Sequence, residues 1–229
     1  MRRWAMAIGL LWWLAATVLF GLRWIRGGTI VAALQSGLPL VGLSLVLLLL
    51  LAAVGRAKLL AAVTALLLAP MVWLAWPWWF DNDLEPPADT DYVVMTSNMF
   101  FGSADVAALD REVSALDVDA LVLLEITPRA LARIESSGIP GALPFRSGQP
   151  RPDAGGTMIF TAEPHQQLDD VPALLFDQVA VEMQPSSGEA WVIFGAHPVP
   201  PTLPEWSSDL AALSDWVDRQ PADAALVMA

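Results

Sequence analysis

The spacing of apolar positions divides the chain in two. Residues 4–22, 38–55 and 59–79 are apolar runs of 19, 18 and 21 residues without a charge. A helix needs about 20 such residues to cross a hydrocarbon core, and must be helical there to satisfy its own backbone. The pattern therefore predicts three transmembrane helices in residues 1–80. Pro70 and Pro77 predict a kink and a stop in the third. From residue 92 the pattern turns to short α/β alternation. A strand over 92–97 is followed by a helix capped by Ser103 and running to about 116, with Val106, Leu109, Val113 and Leu116 on one face. Residues 119–125 form a nearly all-apolar strand, as when both faces are buried. Thr127 and Pro128 open a second helix that stops near Gly138. A loop is predicted over 139–156, then a strand over 156–162. Two antiparallel strands follow at 178–183 and 191–196. Residues 203–219 form an amphipathic helix with Trp206, Leu210, Leu213, Trp216 and Val217 inward, and 224–229 begin a last apolar strand.

Charge sharpens the division. Six basic and no acidic residues precede residue 81; six basic and 24 acidic residues follow it, so the first part carries +6 and the rest −18. The acidic part has no Lys, and its Arg residues are scattered rather than striped. That argues against a polyanion track of the kind nucleic-acid binders need. Trp12, Trp13, Trp24, Trp73, Trp76, Trp78 and Trp79 lie mostly near the ends of the apolar runs, as an interfacial belt requires. The basic amino terminus and the loop at Arg56 and Lys58 outweigh Arg23 and Arg26. The positive-inside rule then places the acidic domain outside the cytoplasm, on a multi-pass cell-membrane anchor. Residues 81–91 read as a linker and 92–229 as the domain proper. No ionisable residue lies within the runs, which favours an anchor over a transporter. There is no Cys, which excludes disulfide and thiol chemistry.

Three polar residues terminate apolar strands: Asn98, Glu125 and His197. In α/β sheets ligands gather beyond strand ends, where a rigid frame meets open loops. Each alone has a plain structural reading: Asn98 as a turn residue, Glu125 as a helix-flanking carboxylate, His197 as a packed ring. Three together in one small domain point to a site. His165 reads as a surface loop residue.

The strand ending on Asn98, the segment 118–126 (VDALVLLEI), the glycine-led strand 155–164 (GGTMIFTAEP) and the segment 192–201 (VIFGAHPVPP) together resemble the endonuclease/exonuclease/phosphatase superfamily, in particular bacterial members with amino-terminal membrane spans. The resemblance covers about residue 91 to the end. It implies a two-sheet α/β sandwich, of which this chain holds the amino-terminal part. It implies hydrolysis of phosphoric esters, of nuclease or phosphatase type, with Mg²⁺ as cofactor and Mn²⁺ or Ca²⁺ as alternatives. It assigns Glu125 to the metal, Asn98 to metal and phosphate support, and His197 to the scissile phosphate. Thr161 stands where the family usually has Ser.

The family's later Gly-Asp-Phe-Asn and Ser-Asp-His motifs do not occur in this sequence. A last apolar strand with nothing after it suggests a piece of a longer protein, with no more than trace activity by itself. Membrane lipid and a phosphoester substrate are the implied partners. Nucleic acid is disfavoured by the acidic domain, and no protein partner is implied. The alternative reading is a non-catalytic, membrane-anchored binding or scaffold domain on the same fold.

Overall fold

The computed structural model describes residues 2–22, 29–80, 92–184, 190–221 and 225–229. The linker at 81–91, the loop carrying Arg23 and Arg26, and most of the connection at 184–190 lie outside the described residues. The chain forms two compact units, Met1–Pro86 with Pro201–Ser207, and Pro87–Pro200 with Ser208–Ala229.

The first unit is built from helices α1 (Arg2–Gly21), α2 (Thr29–Ser36), α3 (Leu38–Val54) and α4 (Lys58–Phe80). Ala16, Val41, Leu45, Leu67 and Leu68 form its small core. Trp12 Nε1 donates to Ser44 Oγ at 3.1 Å and Trp13 Nε1 to the Val63 carbonyl at 3.0 Å, tying α1 to α3 and α4. The outer faces carry large apolar side chains: Val54 is 85% exposed, Ile30 77% and Trp73 75%. The prolines expected to kink and stop the last helix do not end it, since α4 runs on to Phe80. Among the described residues no single helix is long and apolar enough to cross a membrane. Ala7–Gly21 and Lys58–Leu74 are shorter apolar helices, and residues 30–36 with 38–54 qualify only as a pair bent by 46°.

The second unit holds β1 (Val94–Asn98), α5 (Val106–Ala115), β2 (Ala120–Leu124), α6 (Pro128–Glu135), α7 (Ile139–Ala142), β3 (Phe145–Gln149), β4 (Thr157–Thr161), β5 (His165–Leu168), β6 (Val179–Met183), β7 (Trp191–Gly195) and β8 (Ala225–Met228). Helix α8 (Trp206–Asp218) begins in the first unit's last segment and runs through the second. One sheet has the order β1-β2-β4-β3 and the other β5-β6-β7-β8. β1 and β2 are parallel, as are β7 and β8; the remaining pairs are antiparallel.

Alternation along the strands explains the layering. Leu121, Leu123, Met158 and Phe160 face α5, α6 and α7 through Val106, Leu109, Val113, Ala130, Ile134 and Ile139. Their neighbours Ala120, Val122 and Ile159 face the other sheet, against Val179, Val181, Met183, Trp191 and Ile193. The far side of that sheet presents Ala180, Val192 and Phe194 to Leu213 and Trp216 of α8. The result is helix, sheet, sheet, helix. Both faces of β2, β4 and β7 are buried, which is why they read as continuous apolar runs.

Local expectations fare unevenly. Thr127 caps α6, accepting from the Ala130 amide. The cap of α5 is Asp105, which accepts from the Ala107 and Ala108 amides, not Ser103, whose hydroxyl donates to the Phe100 carbonyl. Leu116 and Leu210 are exposed, not inward. The expected loop over 139–156 contains α7 and the edge strand β3. His165, expected in a surface loop, begins β5.

Candidate active site at the strand ends

The parallel pairing of β1 with β2 sets Asn98 opposite Leu124, so Asn98 and Glu125 leave their strands side by side. Their side chains form one polarity-locked network. The Phe100 amide donates to Asn98 Oδ1 at 2.8 Å, a turn closed by a side chain in place of a carbonyl. Because a backbone amide can only donate, Asn98 must turn its Nδ2 the other way, and there it donates to Glu125 Oε1 at 2.9 Å. Glu125 Oε2 accepts the Phe101 amide at 2.9 Å. Each carboxylate oxygen keeps acceptor capacity, and the half-buried side chain still meets solvent.

The backbone around this network is unusual. Phe100, Phe101 and Glu125 have φ of 46°, 53° and 55°, and Gly102 has φ of 70°. Side-chain-bearing residues rarely occupy this region, and they persist there only where the surroundings over-determine them. The network supplies that determination, together with Arg133, which donates to the carbonyls of Gly102 and Ala104. A Cβ at Gly102 would collide with Thr127 Oγ1, the cap of α6.

A second glycine seats the Glu125 turn from below. The Ile126 amide donates to the Gly156 carbonyl at 3.1 Å, and the Ile126 carbonyl accepts the Arg151 amide at 3.0 Å. A Cβ at Gly156 would run into the Ile126 carbonyl oxygen. Arg151 then pairs with Asp153 at 2.9 Å and Asp177 at 3.2 Å, fixing the turn ahead of β4. The Gly155 amide and then Arg151 hold the Asp153 carboxyl below its usual range.

His197 follows β7 at the same end of the sandwich. Gly195 approaches Thr157 of β4 and Val122 of β2 closely, so the two sheets nearly touch just before the histidine. The imidazole is 8% exposed and lies 4.7 Å from the Phe176 ring, centroid to centroid. Burial lowers its pKa below 6.5, and the field of Glu125 opposes that shift. Among the described residues neither its buried Nδ1 nor the buried Thr157 Oγ1 has a hydrogen-bond partner. Gln178, 7% exposed, grips the backbone of the histidine: its Oε1 accepts the His197 amide at 2.7 Å and its Nε2 donates to the His197 carbonyl at 2.8 Å.

The structure thus brings Asn98 and Glu125 into direct contact and puts His197 within electrostatic reach of Glu125. Sequence reasoning missed Gln178, Gly102 and the supporting role of Gly156. The paired glycines at 155–156, ahead of an apolar strand, were the available signal for the last of these. Among the described residues no group of three His, Cys, Asp or Glu side chains is placed to hold a metal by itself. A single carboxylate does fit Mg²⁺, which keeps several waters and takes one or two carboxylates together with substrate phosphate.

No family model matches the chain, and no curated protein does. Solved structures that align with it include humanised D. rerio TDP2 with 14 mutations, at 13% identity and TM-score 0.46 over 60% of this chain and 60% of that one. D. rerio TDP2 complexed with single strand DNA product aligns at 13% identity and TM-score 0.48 over 61% and 60%. A β-hairpin deletion mutant of beta toxin from Staphylococcus aureus aligns at 14% identity and TM-score 0.42 over 61% and 66%. The match spans less than two thirds of each of those chains.

Proposed function

We propose that this chain is the metal-binding part of a membrane-tethered, Mg²⁺-dependent phosphoesterase of the endonuclease/exonuclease/phosphatase type. The observation that carries this reading is the Asn98–Glu125 network: a carboxylate fixed as acceptor on both oxygens, held in a strained turn at a strand end, within the field of a buried histidine. Glu125 would hold the metal, with Asn98 fixing its orientation. A bound Mg²⁺ would supply charge stabilisation at the phosphoryl oxygen. His197, kept neutral by burial, would present a ring nitrogen to a phosphate oxygen. The exposed apolar faces of α1, α3 and α4, and the change from +6 to −18 along the chain, support a bilayer anchor.

The test is calorimetric titration of Mg²⁺ and inorganic phosphate into the full chain in neutral detergent. Mg²⁺-dependent phosphate binding is expected, and Glu125→Ala should abolish it; wild-type affinity in that variant refutes the assignment. Turnover of bis-p-nitrophenyl phosphate should stay at trace level, because the Gly-Asp-Phe-Asn and Ser-Asp-His motifs do not occur in the sequence. A non-catalytic, membrane-anchored binding domain is the second reading. Phosphate binding that needs no metal would select it.

A further inference from the structure

Phe100 and Phe101 form the tip of the turn after β1, and neither ring joins a core of the second unit. They are 70% and 58% exposed and meet edge to face, 6.0 Å between centroids at 75°. Two large aromatic side chains in water are an unfavourable arrangement unless something covers them. Here they are also held there at the expense of two left-handed backbone conformations in a row. The bonds that hold them come from the proposed metal site: Asn98 fixes the Phe100 amide and Glu125 the Phe101 amide. The rings therefore keep a set position relative to the Glu125 carboxylate, close to whatever that carboxylate binds.

Resting on the phosphoesterase reading, we propose that Phe100 and Phe101 form an aromatic corner that stacks a flat ring borne by the substrate, making the substrate class a small, ring-bearing phosphoester such as a nucleotide. The edge-to-face arrangement leaves an open ring face beside a ring edge, the two surfaces a planar heterocycle engages. Charge limits the size of the ligand. The acidic segment carries −18, and several of its few arginines are already engaged: Arg146 with Glu135, Arg151 with Asp153 and Asp177, Arg133 with the turn carbonyls. Among the described residues no track remains along which a nucleic-acid strand or an anionic bilayer could be neutralised. One phosphate beside Glu125 and one ring on the corner suit a mononucleotide-sized ligand.

Equilibrium dialysis of the full chain in neutral detergent, with saturating Mg²⁺, tests this with three probes: adenosine monophosphate, ribose phosphate and inorganic phosphate. The nucleotide should bind at least roughly tenfold more tightly than ribose phosphate, within the range that base–aromatic stacking supplies. The combined change Phe100→Leu and Phe101→Leu keeps apolar bulk and removes the flat faces. It should bring that ratio to about one while leaving ribose phosphate binding unchanged, which also reports that the site is intact. Equal affinity of the wild type for the nucleotide and for ribose phosphate overturns the stacking corner but leaves the phosphoesterase reading standing. So does a ratio that survives the leucine changes. Failure of all three probes to bind overturns both.

Discussion

The polarity of the Asn98–Glu125 network makes a demanding prediction. In Glu125→Gln the new amide carries one acceptor and one donor where the carboxylate offered two acceptors. Its –NH₂ must face either Asn98 Nδ2 or the Phe101 amide, and both are donors. Flipping Asn98 only moves the conflict to the Phe100 amide. One bond is lost in every arrangement. Bonds to charged groups are worth about 1.5–3 kcal/mol, and the half-buried setting favours the lower end, about 1.5 kcal/mol. Asn98→Asp keeps the Phe100 bond but sets two carboxylates at the present 2.9 Å spacing, which should cost at least about as much. The double variant reverses the central bond alone and keeps both backbone amides as donors. The new carboxylate at position 98 accepts from the Phe100 amide and from the new amide at 125, whose oxygen accepts the Phe101 amide, so all partners return. Pulse proteolysis in urea and hydrogen exchange of the peptide 99–104, in the full chain, read the cycle. Each single variant should speed exchange of that peptide by about tenfold or more, and the double variant should recover most of the loss. Additive losses in the double variant would refute the assigned polarity.

Other consequences are checkable. His165 and His197 both have folded-state pKa values lowered below 6.5 by burial. The unfolded chain therefore binds protons more readily, and the stability these rings contribute is complete above pH 6.5 and lost as pH falls below it. Thermal melts of the full chain between about pH 7.5 and 5 should show this loss, and His165→Gln should reduce the slope; an unchanged slope refutes burial of that ring as its source. Gly156→Ala should destabilise the second unit by about 2 kcal/mol or more, since its Cβ would strike the Ile126 carbonyl, whereas Gly141→Ala, which meets nothing within 4 Å, should be neutral or stabilise slightly. Urea midpoints compare the two, and equal effects would remove the argument from close approach. A periplasmic-type reporter fused after Asp91 should be active and a cytoplasmic-type reporter silent; the reverse places the acidic domain inside.

The strands that lead to Glu125 and His197 were legible because burial on both faces writes a continuous apolar run, and a polar residue at its end stands out; β1, an edge strand with no fully buried position, showed through its β-branched start and the asparagine that ends it. β3 and β5 were not legible. Their sequences, Phe145–Gln149 and His165–Leu168, are largely polar because both are edge strands with exposed positions. His165 looked like a loop residue for the same reason. In the fold it is bonded on both sides, Nε2 to Ser147 Oγ at 2.8 Å and Nδ1 to Thr161 Oγ1 at 2.6 Å, where the chain passes from one sheet to the other. Thr161 donates to the Glu163 carbonyl, so it accepts from Nδ1–H and leaves Nε2 to accept from Ser147. Neither bond leaves a periodic trace in the sequence. The capping of α5 by Asp105 rather than Ser103 is a choice between two competent acceptors, settled by the strained turn at 100–102 that occupies the serine.

The clasp of Gln178 on residue 197 gives that position an unusual independence. The amide group of Gln178 takes both the N–H and the C=O of the histidine, continuing the ladder of β6 and β7 with a side chain where a strand would otherwise be needed. The main chain at 197 is thus anchored without any help from the imidazole. Position 197 therefore separates two roles: a changed side chain forfeits the packing of the ring on Phe176, while the backbone stays gripped and the end of β7 keeps its place.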